Sequence, residues 1–217
     1  MTADVVKERI FIFGASGHAK AVIDTVENEG RYEIALLIDD DTSLAGEKLC
    51  GYEIGGGRNE IEAVMKKHAV TGCIVAIGDN EARMETAAWL AGQGLHLVSS
   101  VHPSCQLARG VKVGAGVVIM ACTAINTDAE IGDNVIVNTS ASIDHDCRVG
   151  DGAHIAPGST LCGAVKIGQL AMVGAGATVI PNVEVGAGVT VLQDVPDGVT
   201  TLGARPTGSA GSGRDER

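Results

Sequence analysis

A small Rossmann-like α/β domain followed by a parallel β-helix is the fold class that this 217-residue sequence predicts, and two observations predict it. From Val101 to Val191 every sixth residue is Val, Ile or Leu, through 16 consecutive positions that begin Val101, Leu107, Val113, Ile119 and end Val179, Val185, Val191. Ahead of that region, short apolar runs alternate with amphipathic stretches. A period of six fits neither the helical stripe of 3.6 nor plain strand alternation, but it is the signature of a solenoid of hexapeptide repeats.

The second column of the repeat fixes its register. Four residues after each aliphatic the side chain is small or Val, as at Cys105, Val111, Val117, Thr123, Ala129, Ala141, Cys147, Ala153 and Ala171. Both columns must point into a narrow tube that holds one branched and one small side chain per side. Three sides close a coil, so residues 18 apart lie one above the other, and about five coils are expected. Glycine directly after the aliphatic, at Gly114, Gly132, Gly150, Gly168, Gly174 and Gly186, reads as the residue that turns each tight corner.

In the first hundred residues the expected elements are a strand over Ile10 to Phe13, a loop from Gly14 to Gly17 and a helix over His18 to Asn28. A strand over Tyr32 to Ile38, a helix over Glu60 to His68, a strand over Cys73 to Ile77, a helix over Glu81 to Ala91 and a strand over Leu95 to Val98 follow. Strands alternating with helices indicate a parallel sheet. The expected division is an α/β domain over residues 1–100, a β-helix over 101–203 and a disordered Gly/Ser-rich tail over 204–217.

Composition narrows the function. The net charge of −11 and the lack of any Lys/Arg-rich stretch exclude a nucleic-acid partner, whose phosphates demand a basic surface. Nothing near Met1 reads as a signal peptide, and no apolar run is long enough for membrane insertion, so a cytoplasmic protein is expected. Cys50, Cys73, Cys105, Cys122, Cys147 and Cys162 show no CxxC spacing and read as small buried thiols of a reducing compartment, ahead of disulfides or zinc; no metal site is expected.

Three loops stand at strand ends where an open α/β sheet binds ligands: Gly14-Ala15-Ser16-Gly17-His18, Asp39-Asp40-Asp41 and Gly78-Asp79-Asn80. The first opens a helix, whose N–H groups and dipole suit a phosphate, although it lacks the full GxGxxG pattern. Together they predict a nucleotide site. Each aspartate also has an ordinary reading as a helix cap or turn former.

Within the small, apolar solenoid, Asp144-His145-Asp146 and His154 stand out. An imidazole beside carboxylates is equipped to accept a proton near neutral pH, with the carboxylate fixing its tautomer. His154 lies nine residues, half a coil, from His145 and cannot share its face in one subunit, so adjacent subunits would have to bring the two together. Gly163 lies one coil beyond His145, where its N–H is a candidate oxyanion donor, or simply a corner. Asn138 is placed to orient the histidine or the acceptor, or is an ordinary turn residue.

These segments, with Phe13-Gly14-Ala15-Ser16-Gly17-His18, Ala76-Ile77-Gly78-Asp79-Asn80, Asn138-Thr139-Ser140, Asp144-His145-Asp146-Cys147 and His154-Ile155-Ala156-Pro157, occur in one family's order over almost the whole chain. The sequence closely resembles the left-handed β-helix acyltransferases, and within them the bacterial sugar acetyltransferases with an N-terminal nucleotide-sugar-binding domain. That group includes UDP-amino-sugar N-acetyltransferases, GDP-perosamine N-acetyltransferases and sialic acid O-acetyltransferases. The resemblance implies a left-handed helix, a homotrimer and acetyl-CoA as cosubstrate in the cleft between neighbouring β-helices. It implies His145 as catalytic base, Asp146 as its acidic partner, Gly163 as oxyanion amide and His154 as the acetyl-contacting histidine, with Asn138 beside them. His154, Gly163, Met172, Gly174 and Ala175 would contact the cofactor, and Gly14, Ser16, Gly17, His18, Asp39, Asp40, Asp79 and Asn80 the nucleotide sugar. The family's terminal Gly-x-Pro-Ala appears here as Gly203-Ala204-Arg205-Pro206.

The expected reaction is N-acetylation of the 4-amino group of a UDP- or GDP-linked amino-dideoxy sugar. The alternatives are O-acetylation of a sialic acid and a non-catalytic β-helix that binds a nucleotide sugar. The acids flanking His145 favour catalysis, and the three N-terminal loops favour a nucleotide-linked acceptor.

Overall fold

The computed structural model describes residues 7–194 and 201–202. Gly203-Ala204-Arg205-Pro206 and the tail expected to be disordered lie outside the described residues.

The chain starts with β1 (Glu8–Phe13), α1 (Gly17–Glu29) and β2 (Tyr32–Ile38). A two-stranded antiparallel pair follows, β3 (Lys48–Leu49) and β4 (Tyr52–Glu53), then α2 (Ile61–His68), β5 (Gly72–Val75), α3 (Asn80–Gly92) and β6 (His96–Leu97). The main strands form a parallel sheet in the order β2-β1-β5-β6. Its strands are apolar on both faces because α1 covers one and α2 and α3 the other, burying Ile10, Ile12, Ile74 and Val22 on one side and Phe11, Phe13, Val75 and Leu90 on the other. The β3–β4 pair was absent from the sequence expectation. Its two-residue turn uses Cys50 (φ 49°) and Gly51 (φ 90°), and a cysteine is not a turn residue that propensity would pick.

The solenoid begins at Ser100–Val101 and runs through Thr190–Val191 as three stacks of two-residue strands, with Thr201–Leu202 added at the end of the third stack. Wall one contains Ser100, Val118, Ile136, His154, Met172 and Thr190 in successive coils; wall two contains Gln106, Ala124, Ser142, Thr160 and Thr178; wall three contains Lys112, Glu130, Arg148, Lys166 and Glu184. From Ser100 to Val191 every pairing joins residues 18 apart, as between Ile136 and His154 or Ser142 and Thr160; the last, Glu184 with Thr201, joins residues 17 apart. Both predicted columns point inward: Val137, Ile143, Ile155 and Leu161 are wholly buried, and so are Val135, Cys147, Ala153 and Val165.

The corner residues differ from the expectation. Positive φ falls three residues after each aliphatic from Leu107 to Val185, at Gly110, Gly116, Cys122, Asp128, Asn134, Ser140, Asp146, Gly152, Gly158, Ala164, Leu170, Gly176, Asn182 and Gly188. The glycines directly after the aliphatic are needed for stacking instead. A Cβ on Gly150 would lie 2.7 Å from the backbone nitrogen of Gln169 in the next coil, and one on Gly168 2.5 Å from that of Ala187. The cysteine reading also needs correcting. Cys73 and Cys147 are buried, but Cys50 and Cys122 are exposed because both sit at left-handed turn positions that point the side chain outward.

The two regions meet on wall one. Val118, Met120 and Ile136 project from it into the same apolar cluster as Val22, Ile23 and Val26 of α1. Walls two and three present polar side chains, so wall one is where burying apolar area pays the larger hydrophobic return.

Candidate active site

The corner between walls two and three holds the first histidine. Asp146 occupies its left-handed position (φ 58°), a conformation Asp tolerates, and this tight turn brings its carboxylate back onto the preceding side chain. His145 Nδ1 lies 2.8 Å from Asp146 Oδ2. Asp146 can only accept, so Nδ1 carries the hydrogen and Nε2 presents its lone pair. Asp144 is held in turn by the Asn126 amide (2.9 Å) and the His145 N–H (2.7 Å). The Asp146 hydrogen bond, then the charge of Asp144, push the pKa of the exposed His145 above 6.5.

Gly163 lies beneath that ring, in the next coil. A Cβ there would come within 2.7 Å of both Cε1 and Nε2 of His145, so only glycine lets the ring lie against the backbone. The Gly163 carbonyl accepts from Asn182 N, and its own N–H makes no hydrogen bond among the described residues.

The second histidine is built differently. His154 stands on wall one, 9% exposed, between Ile136 and Met172 of the neighbouring coils. Asn138 accepts from Thr139 N through Oδ1, which turns its amide NH2 toward His154 Nε2 at 3.1 Å. Nε2 is therefore the acceptor, and neutral His154 carries its hydrogen on Nδ1. Burial, then the charge of Arg83, then His18 lower its pKa to about 4. The His18 ring, from the first turn of α1, is 6.3 Å away, and burial and Arg83 lower its pKa too. Gly174 and Ala175 follow Met172 at the corner between walls one and two; a Cβ on Gly174 would strike the Val191 carbonyl at 2.8 Å.

The three N-terminal loops converge as the sheet order requires, since β1 and β5 are neighbours. A Cβ on Gly14 (φ 110°) would lie 2.7 Å from the Ala76 carbonyl, and Asp39 Oδ2 accepts from Ala15 N at 2.7 Å. The acids in these loops have intramolecular partners. Asp39 also accepts from Asp41 N, Asp40 pairs with Arg58 at 2.5 Å, and Asp79 caps α3 through Ala82 N. Ser16 is the N-terminal flank of α1 and makes no side-chain cap, which leaves the N–H groups of Gly17 and His18 at an uncapped helix start.

Asn80 is drawn away from that edge into the solenoid, where its amide donates to the Leu170 carbonyl at 2.9 Å. Beside it lies Arg83, 1% exposed, which sequence reasoning missed. Its signal was present: the buried stripe of α3 is Arg83, Thr86, Ala87 and Leu90, with a cation at the head of an i, i+3, i+4, i+7 pattern. Among the described residues no helix is long and apolar enough to cross a membrane, and no cluster of three potential ligands would hold a metal.

A hexapeptide solenoid with an α/β domain docked on one wall, and an acid-paired imidazole at one corner, defines a transferase of the β-helix class. Residues 9–90 match the family model described as the PglD N-terminal domain, and residues 128–163 match that of the bacterial transferase hexapeptide, six repeats. A histidine-to-asparagine mutant of perosamine N-acetyltransferase from Caulobacter crescentus, solved with CoA and GDP-perosamine, is 35% identical, with a TM-score of 0.76 over 92% of this chain and 95% of that one. The acetyltransferase domain of PglB from Neisseria gonorrhoeae FA1090, solved with acetyl coenzyme A, is 29% identical, with a TM-score of 0.77 over 92% of this chain and 98% of that one. WeeI from Acinetobacter baumannii AYE, 24% identical with a TM-score of 0.62 over 92% of this chain and 98% of that one, is alike in fold. The chain belongs to the PglD family of sugar N-acetyltransferases, and its solenoid is a left-handed β-helix.

Proposed function

We propose that the protein transfers the acetyl group of acetyl-CoA to the 4-amino group of a UDP- or GDP-linked amino-dideoxy sugar, with His145 as general base. The observation that supports this most directly is the His145 corner: Nδ1 hydrogen-bonded to Asp146, Nε2 free, and the unpaired N–H of Gly163 one coil below. The relatives solved with CoA and GDP-perosamine, or with acetyl-CoA, supply the substrate class.

In this reading the amine lone pair attacks the thioester carbonyl, and the nitrogen passes a proton to His145 Nε2. Asp146 holds the ring and stabilises the imidazolium. The Gly163 N–H donates to the oxyanion of the tetrahedral adduct. Collapse expels CoA thiolate, which takes up the proton, leaving an acetamide and the free thiol. The nucleotide diphosphate is taken by the uncapped start of α1 at Ser16, Gly17 and His18. Asp39, Asp40 and Asp79 shape the neighbouring loops through the bonds described above.

His145 and Gly163 lie at one corner of the coil, whereas His154, Met172, Gly174 and Ala175 lie on another wall and its corner. A complete site on this plan takes the second set from an adjacent β-helix, which is the reason to expect a homotrimer. The decisive assay incubates the protein with acetyl-CoA and UDP-, GDP- and dTDP-amino sugars, beside free and CMP-linked sialic acids. Acetylation of a nucleotide-linked amino sugar is expected. Turnover of a sialic acid alone would replace N- with O-acetylation, and binding without turnover would leave a nucleotide-sugar-binding scaffold.

A further inference from the structure

We infer that Arg83 is a positioning residue that, with Asn80, clamps the nucleotide-binding loops to three consecutive coils of the β-helix and thereby sets the place of His154 relative to the bound sugar. The clamp itself is a set of hydrogen bonds; its catalytic consequence rests on the function proposed above.

A solenoid corner turns through a left-handed residue, and at the corner between walls three and one those residues are Asn134, Gly152 and Leu170, one per coil. Their N–H groups pair with the coil before, to Ala115, Asp133 and Asp151. Their carbonyls have no such partner, so a domain docked over this corner must satisfy them or leave buried acceptors unpaired. Arg83 Nε donates to the Asn134 carbonyl at 2.9 Å, Arg83 Nη2 to that of Gly152 at 2.7 Å, and Asn80 Nδ2 to that of Leu170 at 2.9 Å. One planar fork and one amide thus reach a column of three acceptors.

The other end of the same side chain holds the nucleotide loop. Arg83 Nη1 donates to the carbonyls of Ile77 and Gly78, at 3.0 and 3.2 Å, and Nη2 to Asn80 Oδ1 at 2.8 Å. The loop after β5 and the backbone two residues before His154 are therefore joined through a single guanidinium. Among the described residues Arg83 has no carboxylate within ion-pair distance. A buried cation offset only by the more distant charge of Asp79 is a costly way to join two surfaces that Val118, Ile136 and Val22 already hold by apolar contact. Its charge has a second consequence, since the groups facing His154 are Asn138, His18 and Arg83, and the cation adds to burial in disfavouring protonation of both imidazoles.

The test compares Arg83→Lys, which keeps the charge but cannot fork, with Arg83→Gln, which loses the charge. With one substrate fixed at saturation, both should lower kcat by roughly 10–100-fold while the dissociation constants of the nucleotide sugar and acetyl-CoA stay near wild type, the split expected of misplaced groups. The His154 ring, followed by NMR in histidine-labelled protein, should titrate near about 4 in the wild type and in Arg83→Lys, and higher in Arg83→Gln, while burial, the larger cause, still holds it below the ordinary imidazole range. Wild-type kcat in both variants, or an unmoved His154 titration in Arg83→Gln, overturns the inference. If neither variant folds, Asn80→Ala removes one arm of the clamp and should lower kcat by a smaller factor without weakening sugar binding; an unchanged kcat overturns it. If the wild-type protein acetylates no nucleotide sugar, the proposed function fails, and the His154 titration still decides the clamp.

Discussion

The corner that holds His145 and the wall that holds His154 belong to the same winding of the chain, yet they treat an imidazole in opposite ways. His145 is exposed, its Nδ1 bound to a carboxylate and its pKa raised. His154 is buried under the α/β domain, its Nε2 held by an amide NH2 and its pKa lowered to about 4. One ring is prepared to gain a proton and the other to stay neutral. Corners admit a left-handed Asp that folds back on its neighbour, whereas walls fix side chains by register, so the solenoid offers two different environments within half a turn. Pairs of titratable groups with environments pushed apart are how a site divides acid–base work from positioning.

The largest test of that division is His145→Ala. Loss of a general base costs ~10²–10⁴-fold, and kcat should fall by about that much with nucleotide-sugar binding intact, because the α/β loops do not touch this corner. The defect should be fullest above the His145 pKa, where the wild-type ring is neutral and can take the proton, and should shrink as pH falls through it. Wild-type kcat at saturating substrates would show that the base has been misassigned.

Gly163→Ala should come next. The added Cβ would lie 2.7 Å from two atoms of the His145 ring, and the backbone is free of left-handed strain, so the exposed ring moves while the fold persists. A displacement on that scale costs roughly 10–100-fold in kcat. An unchanged melting temperature with reduced kcat is the expected pair of results. Unchanged kcat would mean that the ring's position over Gly163 is not its working position.

The contrast between the regions also explains what could be read in advance. The β-helix was legible almost residue by residue, because one rigid period assigns every side chain to the interior, a wall or a corner. Even the docking wall was written there: the residue before each aliphatic reads Val118, Ile136, His154 and Met172 on wall one, against Lys112, Glu130, Arg148 and Lys166 on wall three. The corner glycines misled because two needs for glycine, positive φ and close stacking of coils, occur two positions apart and look alike in sequence. The α/β loops were legible as positions but not as contacts. Asp39, Asp40 and Asp79 stand where a ligand site should be, yet each has a backbone or Arg58 partner, and no local pattern announces a partner elsewhere in the chain. The stripe of α3 marked Arg83 as buried, but its partners were hidden for the same reason, since they are the carbonyls of residues 51 and 69 positions away.

The finest test separates the His145 environment from its mere presence. Asp146 is the first cause of the raised His145 pKa, and Asp144, held by Asn126 and the His145 N–H, is the second. A general base acts only when neutral, so kcat/KM must fall as pH drops through the His145 pKa. In Asp146→Asn the amide oxygen can still accept the Nδ1 hydrogen, which keeps the tautomer, but the negative charge that favoured the imidazolium is gone. The pKa should therefore fall, with Asp144 preserving part of its elevation, and the acid limb of kcat/KM should move to lower pH. On the plateau the weaker base should cost about tenfold or less, well short of the loss on deleting the ring. An acceptor ammonium must also lose its proton and contributes an acid limb of its own, but that contribution is common to both proteins. The difference between the two profiles belongs to the enzyme, and superimposable acid limbs would show that His145 is not the group whose titration controls the reaction.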